Sequence, residues 1–363
     1  MKRVIILTYD YPPNNGGIAR LCFEIKKQCK LNGLSVRVVT LASSGTDMEN
    51  DEDVIRIVGK RGLLEWRILN YLKKNTERDD IILTGTFHPD GLLGWLSGRK
   101  VYMLAHGAEL LPGKSFFQKY VWKYYRRYLL KSASGVIANS HYTEGLVRLC
   151  SPLAKVYTIP LAVDYDYFRP TSSKMRDGVL HLCSLSRLEK FKGHDFLIRV
   201  ISSLPSEYKE KISLTIGGNG PYKESLVALA RELHLVDTIG FEGFIDDGKL
   251  CDFYSSADIF VLCTREEPGL KNVEGFGLVF VEAQACGTAV IGTRAGGIPD
   301  AVKDGDGGWL IAQDSQKELS ELMMFLIDHP EIVAEEGLKA RQRAIQEYSW
   351  QNYYKALSGI ICR

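Results

Sequence analysis

Two short apolar runs, R-V-I-I-L-T at 3–8 and S-V-R-V-V-T-L at 35–41, bracket a segment of helical periodicity. Ile18, Leu21, Cys22, Ile25 and Cys29 share one face of a helix over 18–31, and Asn32-Gly33 ends it. Strand, helix and strand in succession form a β-α-β unit, whose crossover requires a parallel sheet. The unit is not a dinucleotide fingerprint. It has no G-x-G-x-x-G, and its second strand ends in Thr40-Leu41 with no acidic residue to hold a ribose. Gly16-Gly17 at the helix entrance suits a pyrophosphate or sugar passing close to the backbone, and equally a plain turn.

The pattern continues with strands expected at 80–84, 100–105, 135–139 and 155–159. I-P-L-A-V-D-Y-D-Y-F-R-P (159–170) then reads as a connection. A second array follows: strand 179–185, helix 193–203, strand 211–216, helix 221–234, strand 237–241, helix 247–255 and strand 257–262, with a tail helix over 348–357. A chain of 363 residues exceeds one hydrophobic core, so two domains are expected, an α/β pair over 1–165 and 173–344. Glycine-rich strand-to-helix turns in both arrays fit two doubly wound, Rossmann-like domains facing across a cleft. The formal net charge of +2 makes no global case for nucleic acid. The N-terminus is too short in apolar residues for a signal peptide, and no run spans a membrane. Eight cysteines without C-x-x-C or a Cys/His cluster read as reduced thiols of a cytoplasmic protein.

Chemistry is expected first at E-G-F-G-L-V-F-V-E, residues 274–282. Gly275-Phe276-Gly277 reads as a helix entrance with free amides, Glu274 stands before the helix, and Glu282 lies within it. One carboxylate can accept the hydroxyls of a sugar and the other a vicinal diol such as a ribose; the bland alternative is a solvated helix face. S-R-L-E-K-F-K-G sets Arg187 and Lys192 beside another helix N-terminus, where two cations and free amides suit a diphosphate. Gly217-Gly218-Asn219-Gly220-Pro221 is a further strand-to-helix turn, and 264–273 is a polar loop. His106, in H-G-A-E at the end of strand 100–105, stands where ligands collect in parallel sheets, or is structural.

Residues 114–131 are basic and aromatic, with no acidic residue between Glu109 and Glu144. A helical wheel puts Lys119, Lys123, Arg126 and Arg127 on one side and Phe117, Val121, Tyr124, Tyr128 and Leu129 on the other. Such a helix suits an anionic bilayer surface, or packs its apolar side inward and solvates its charges.

With these pieces placed, the chain resembles the family 4 retaining glycosyltransferases of GT-B fold over nearly its whole length. The resemblance rests on P-P-N-N-G-G, H-G-A-E, A-N-S (138–140), V-D-Y-D-Y-F-R-P, S-R-L-E-K-F-K-G, G-G-N-G-P, and E-G-F-G-L-V-F-V-E followed by A-G-G-I-P-D (295–300). Leu161-Ala162, Ser186 and Asp300 depart from the common Asn-Gly, Gly and Glu, and none removes a charged site position.

The resemblance implies catalytic roles for His106, Arg187, Lys192 and Glu274. It implies a donor site of Gly16, Gly17, Gly218, Phe244, Ile245, Gly275, Phe276, Gly277, Leu278 and Glu282. Arg187 and Lys192 would neutralise the diphosphate, Glu282 would hold the ribose, and Glu274 would orient the sugar. His106 would lie against that sugar, and the Gly218 and Phe244-Ile245 turns would sit near the base. It implies a nucleotide-diphosphate sugar as donor, GDP-mannose or a UDP-sugar, with no cofactor and no metal. The final helix, 345–363, would cross back onto the first domain. The branch most similar is that of the phosphatidylinositol mannosyltransferases. This points to a hydroxyl acceptor that is lipid-linked or a surface polysaccharide or glycolipid precursor, no nucleic acid, and peripheral attachment to the inner face of the cytoplasmic membrane through Lys119, Lys123, Arg126 and Arg127. Rival readings are a non-catalytic nucleotide-sugar-binding partner subunit, an epimerase of the same fold, whose acid/base carboxylates are not recognisable here, and a phosphorylase, which needs a much longer chain.

Overall fold

The computed structural model describes residues 3–14, 16–42, 51–111, 116–171, 178–266 and 272–362, with the side chains of 116–119 excepted. The chain divides into two compact units, Met1–Ile159 with Trp350–Arg363, and Pro160–Ser349.

The first unit runs β1 (Val4–Leu7), α1 (Gly17–Leu31), β2 (Val36–Leu41), β3 (Val54–Ile57), α2 (Leu63–Asn75), β4 (Ile81–Thr84), α3 (Leu92–Leu96), β5 (Lys100–Ala105), α4 (Phe116–Ser132), β6 (Gly135–Ala138), α5 (His141–Cys150) and β7 (Val156–Thr158). Its seven strands are ordered β3-β2-β1-β4-β5-β6-β7, every pair parallel. Strands β1 and β4 are buried at every position, as a sheet covered on both faces demands. Helices α2 to α5 lay Leu64, Ile68, Leu72, Leu93, Leu129 and Val147 on one side of the sheet.

The second unit runs β8 (Leu180–Leu185), α6 (His194–Ser203), α7 (Ser206–Lys209), β9 (Ile212–Gly217), α8 (Lys223–Glu232), β10 (Ile239–Gly243), α9 (Leu250–Ser255), β11 (Ile259–Leu262), α10 (Leu278–Ala285), β12 (Ala289–Thr293), α11 (Ile298–Ala301), β13 (Gly308–Ile311), α12 (Gln316–Asp328) and α13 (Pro330–Glu347). The parallel order is β10-β9-β8-β11-β12-β13. A last helix, α14 (Trp350–Ile361), packs on α1 and so belongs to the first unit. Its buried Tyr353, Leu357 and Ile361 recur at helical spacing. Helix α13 continues past position 345, so the second unit reaches Ser349.

Each unit is therefore a doubly wound α/β sheet. Each reverses its strand order once, between β1 and β4 in the first and between β8 and β11 in the second. At such a point the loops leaving neighbouring strands run to opposite faces of the sheet and leave a crevice at the carboxyl ends.

No element is expected in 54–75 or 289–347, yet these hold helices α2, α11, α12 and α13 and strands β3, β12 and β13. Strand β10 lies two residues later than expected, at Ile239–Gly243, beside a register shift against β9.

Candidate active site

The second unit's reversal point brings Lys192 and Glu274 together. Lys192 ends the short turn that leaves β8, and Glu274 ends the long loop that leaves β11. The Lys192 ammonium donates to Glu274 Oε2 at 2.6 Å, with the side chains 15% and 18% exposed. Tight backbone packing puts them there. Gly193 has a φ of 77°, and a Cβ on it would stand 1.8 Å from the Cys263 carbonyl oxygen, so only glycine lets the β8 turn lie on the β11 exit. Glu274 is held by its own carbonyl, which accepts from the Gly297 amide at 2.8 Å.

Helix α10 begins directly after this pair. Gly277 is its N-cap, with no side-chain cap bond; the Phe280 amide turns back to the Gly277 carbonyl at 3.0 Å, which leaves the amides of Leu278 and Val279 for a ligand. The Phe276 ring is buried and packs on Tyr348 at 5.9 Å, so Phe276 can offer a ligand only its main chain. Leu278 opens the helix. Glu282, in the next turn, is 6% exposed, and its Oε2 accepts the Tyr254 hydroxyl at 2.9 Å. Burial, then the neighbouring Glu282 charge, pushes the Tyr254 phenol well up, so it keeps the proton it donates.

Arg187 does not join this group. Its side chain is 74% exposed and its Nε pairs with Glu189 at 2.9 Å, while the next residue, Leu188, is the one buried. Below the same turn lies His194, 1% exposed, between two hydroxyls: Ser184 at 3.3 Å from Nδ1 and Ser186 at 2.9 Å from Nε2. Ser186 gives its own proton to the Arg187 carbonyl, so Nε2 carries the hydrogen and Nδ1 accepts from Ser184. Burial, reinforced by Lys192, lowers the imidazole to about 3, and it is neutral. Gly218 touches this turn as well: with φ 110°, its Cβ would meet the Ser186 carbonyl oxygen at 1.9 Å. Beyond it, Phe244 is exposed while Ile245 belongs to the core, so the two halves of that turn differ in what they can offer.

At the first unit's reversal point, the Asp10 carboxylate lies against Gly16, where a Cβ would fall 2.4 Å from Oδ2, and Gly17 opens α1. His106 follows β5; its Nε2 lies 2.7 Å from the Gly85 carbonyl, to which it must donate, leaving Nδ1 as an acceptor. Its backbone amide donates to Glu109 Oε1 at 2.6 Å. Asp90 is buried among these loops with Oδ2 on the Thr86 hydroxyl at 3.2 Å and Oδ1 without a hydrogen-bond partner. Burial pushes its carboxyl up to about 7.

The wheel drawn for α4 is corrected by the packing. Its inward side carries Trp122, Tyr125, Leu129 and Leu130, whereas Tyr124, Tyr128 and Val121, expected inside, are exposed. Arg126, expected on the outer basic side, is 7% exposed and donates to the Leu110 carbonyl at 2.6 Å. It satisfies a carbonyl at the end of the short helical turn 108–110, which outweighs solvation of the charge. Lys123 and Arg127 remain exposed. The side chains of Phe117 and Lys119, and Lys114 altogether, lie outside the described residues. Among the described residues no helix is long and apolar enough to cross a membrane.

Tyr254, His194 and Asp90 are not singled out by the sequence reading. Only the Ser186 departure from the family pattern hinted at the His194 arrangement. The others sit in ordinary helical or loop sequence.

With this geometry in place, comparison with known proteins is direct. The family model described as "Glycosyltransferase Family 4" matches residues 15–167, and "Glycosyl transferases group 1" matches 170–347. A GDP-mannose-dependent alpha-(1-6)-phosphatidylinositol monomannoside mannosyltransferase of Mycolicibacterium smegmatis is 28% identical over 99% of this chain and 98% of its own. A D-inositol 3-phosphate glycosyltransferase of Catenulispora acidiphila is 31% identical over 65% of this chain and 57% of its own. Among solved structures, Anabaena HepE (Alr3699) in complex with UDP and glucose superposes with a TM-score of 0.78 at 18% identity, covering 99% of each chain. A glycosyltransferase from Rickettsia africae gives 0.79 at 20%, covering 99% of this chain and 98% of its own. These two share the fold. The chain belongs to the family 4 glycosyltransferases, two-unit α/β enzymes of GT-B class that transfer a hexose from a nucleotide sugar.

Proposed function

We propose that this enzyme moves mannose from GDP-mannose to a hydroxyl of a lipid-linked acceptor, with retention of configuration and without a metal ion. The observation that carries the reading is the Lys192–Glu274 pair at the second unit's strand reversal, directly before the open amides of α10. A fixed ammonium beside free amides is preorganised for the charge that grows on a departing diphosphate, which is the work a metal performs elsewhere. Glu274, engaged through one oxygen, keeps Oε1 for donor-sugar hydroxyls. Glu282 and Tyr254 receive the ribose, and Nδ1 of His106 accepts from a hydroxyl. Arg187, exposed beside Glu189, swings onto the diphosphate as it binds. A leaving-group phosphate oxygen takes the acceptor proton while the acceptor oxygen bonds the anomeric carbon on the face the phosphate leaves. The end-to-end similarity to the mannosyltransferase favours mannose over other hexoses and a phosphoinositide-like acceptor.

The acceptor reading has support on the first unit's surface. Tyr120, Tyr124 and Tyr128 form an exposed row on α4 beside exposed Lys123, Arg127 and Lys131. In the same helical layer, α2 opens with exposed Leu63 and Trp66 among Lys60, Arg61 and Arg67. Aromatic rings with adjacent cations match the headgroup region of an anionic membrane, here the inner face of the cytoplasmic membrane.

Two experiments test the proposal. Calorimetric titration with GDP, UDP, ADP and CDP in chelator should show tight binding of GDP alone. Preference for UDP would redirect the donor, no binding would overturn the donor-site reading, and binding without transfer would favour a non-catalytic nucleotide-sugar-binding partner subunit. Charge reversal at Lys123 and Arg127 should abolish sedimentation with anionic liposomes, and unchanged binding would remove the membrane from the proposal.

A further inference from the structure

Three loops at the carboxyl end of the second sheet, those that leave β8, β11 and β13, are laced together through one side chain, Arg265. The Arg265 amide, just beyond β11, donates to the Phe191 carbonyl at 2.7 Å, tying this exit to the turn that ends in Lys192. Its guanidinium spreads in three directions. Nη1 reaches both oxygens of Asp195, at 2.9 and 3.1 Å, on the first turn of α6 and the Lys190 carbonyl at 3.4 Å, while Nε meets Asp314 Oδ1 at 2.6 Å beyond β13. The next residue continues the lacing: the Glu266 amide donates to Gln313 Oε1 at 2.9 Å, and Glu266 Oε1 accepts from the Gly296 amide. Gly297 in turn donates to the Glu274 carbonyl, and Glu274 pairs with Lys192. The contacts close a ring: Lys192 turn, Arg265, Asp314 segment, Glu266, Gly296-Gly297, Glu274, and Lys192 again.

We propose that Arg265 is a positioning residue that sets the Lys192 ammonium against Glu274, so that the pair acts on the donor as one unit. The proposal rests on the reading of that pair as the donor site. Arg265 is suited to the task where lysine is not, because its planar fork satisfies diverging acceptors that a single ammonium cannot reach together. Its side chain is 14% exposed and carries two carboxylate partners, Asp195 and Asp314, against the one that Lys192 has in Glu274, so Arg265 is the more fully neutralised of the two cations. Without Arg265, the carboxylate of Asp195 loses its partner three residues from Lys192, and the Lys192 turn loses its side-chain anchor to the β11 exit.

A double-mutant cycle on the full-length enzyme tests this, using Arg265→Ala, Lys192→Ala and both together. Donor turnover, GDP affinity and thermal midpoint are read for each. Arg265→Ala should lower kcat/KM for the donor about 10- to 100-fold in the wild-type background and less than about twofold in the Lys192→Ala background. Arg265→Lys should recover the thermal midpoint more fully than it recovers turnover. A merely structural arginine predicts equal losses in both backgrounds, and that additivity overturns the proposal. If Arg265→Ala does not fold, Asp314→Asn, which removes one arm, takes its place in the same cycle with a smaller loss expected. Should the wild type bind GDP without transferring sugar, the cycle is read on affinity. Should it bind no nucleoside diphosphate, the donor-site reading itself fails, and the role of Arg265 with it.

Discussion

Where β8 and β11 diverge, the second unit pairs formal charges into one ring; where β1 and β4 diverge, the first unit buries titratable groups beside the Asp10 carboxylate. The second crevice is lined by Lys192, Glu274, Arg265 and Asp195, paired within a single ring. The first holds Asp90, raised to about 7 by burial, and His88, lowered by burial and then by Arg61, on the Tyr125 hydroxyl at 2.8 Å. The two sheets share a topology, so topology did not choose these chemistries. Doubly winding a parallel sheet supplies a crevice; which ligand enters depends on whether the loops bring ions or hydrogen-bonding groups to it. A crevice with a fixed ammonium suits an anionic diphosphate, and one of carboxyl, imidazole and hydroxyl groups suits sugar hydroxyls, whose recognition needs directed hydrogen bonds.

The sharpest way to break this contrast is to remove the charge from the second crevice. Lys192→Ala should lower transfer about 100- to 1000-fold, the scale of losing a preorganised electrostatic contact, with an unchanged circular dichroism spectrum. Full turnover would mean the charge serves folding alone.

The next test concerns the first crevice. Asp90 binds its proton more tightly folded, at about 7, than its ordinary value of 3.8 allows when unfolded. Between those values the folded state holds a proton the unfolded state lacks, so stability falls as pH rises through the window and levels off above it. About three units correspond to roughly 4 kcal/mol. Denaturant midpoints at pH 4 and pH 8 should therefore converge for Asp90→Asn relative to wild type; equal pH slopes in both proteins would show Asp90 to be ionised in the fold.

A smaller effect separates binding from folding at α10. Tyr254→Phe removes the hydroxyl that donates to Glu282 and should cost about 1–2 kcal/mol in urea unfolding. If Glu282 holds the ribose as proposed, Tyr254→Phe should also raise the donor KM several-fold with kcat unchanged, because such a contact is made equally in ground and transition states. A fall in kcat alone would move Glu282 from the ribose to the reacting sugar.

Much of this architecture can be read from the chain directly. The β-α-β opening requires parallel strands, and glycine-flanked strand ends mark where ligands collect. Lys192, Glu274 and Glu282 were legible because the turns carrying them keep local signatures. Helices α2 and α12 repeat Leu64, Ile68 and Leu72, and Leu319, Met323 and Leu326, at helical spacing, and were missed despite that pattern. Arg265 matters through Asp195 and Asp314, 70 and 49 positions away in sequence, and Tyr254 through Glu282, 28 away.

Helix α4 shows the limit most plainly. With aromatic and basic residues around its whole circumference, its composition announced an unusual helix but not which side would face the sheet. That side was chosen by contacts no local pattern contains: Trp122 and Tyr125 against His88, at ring distances of 4.8 and 5.5 Å, and Arg126 on the Leu110 carbonyl. The sequence by itself determined the strand-and-helix alternation, the division into two sheets and the residues at the strand ends, because each depends on local periodicity and backbone freedom. Tertiary structure alone decided which charges meet, which are buried and which face water, because those outcomes depend on distances between segments far apart along the chain.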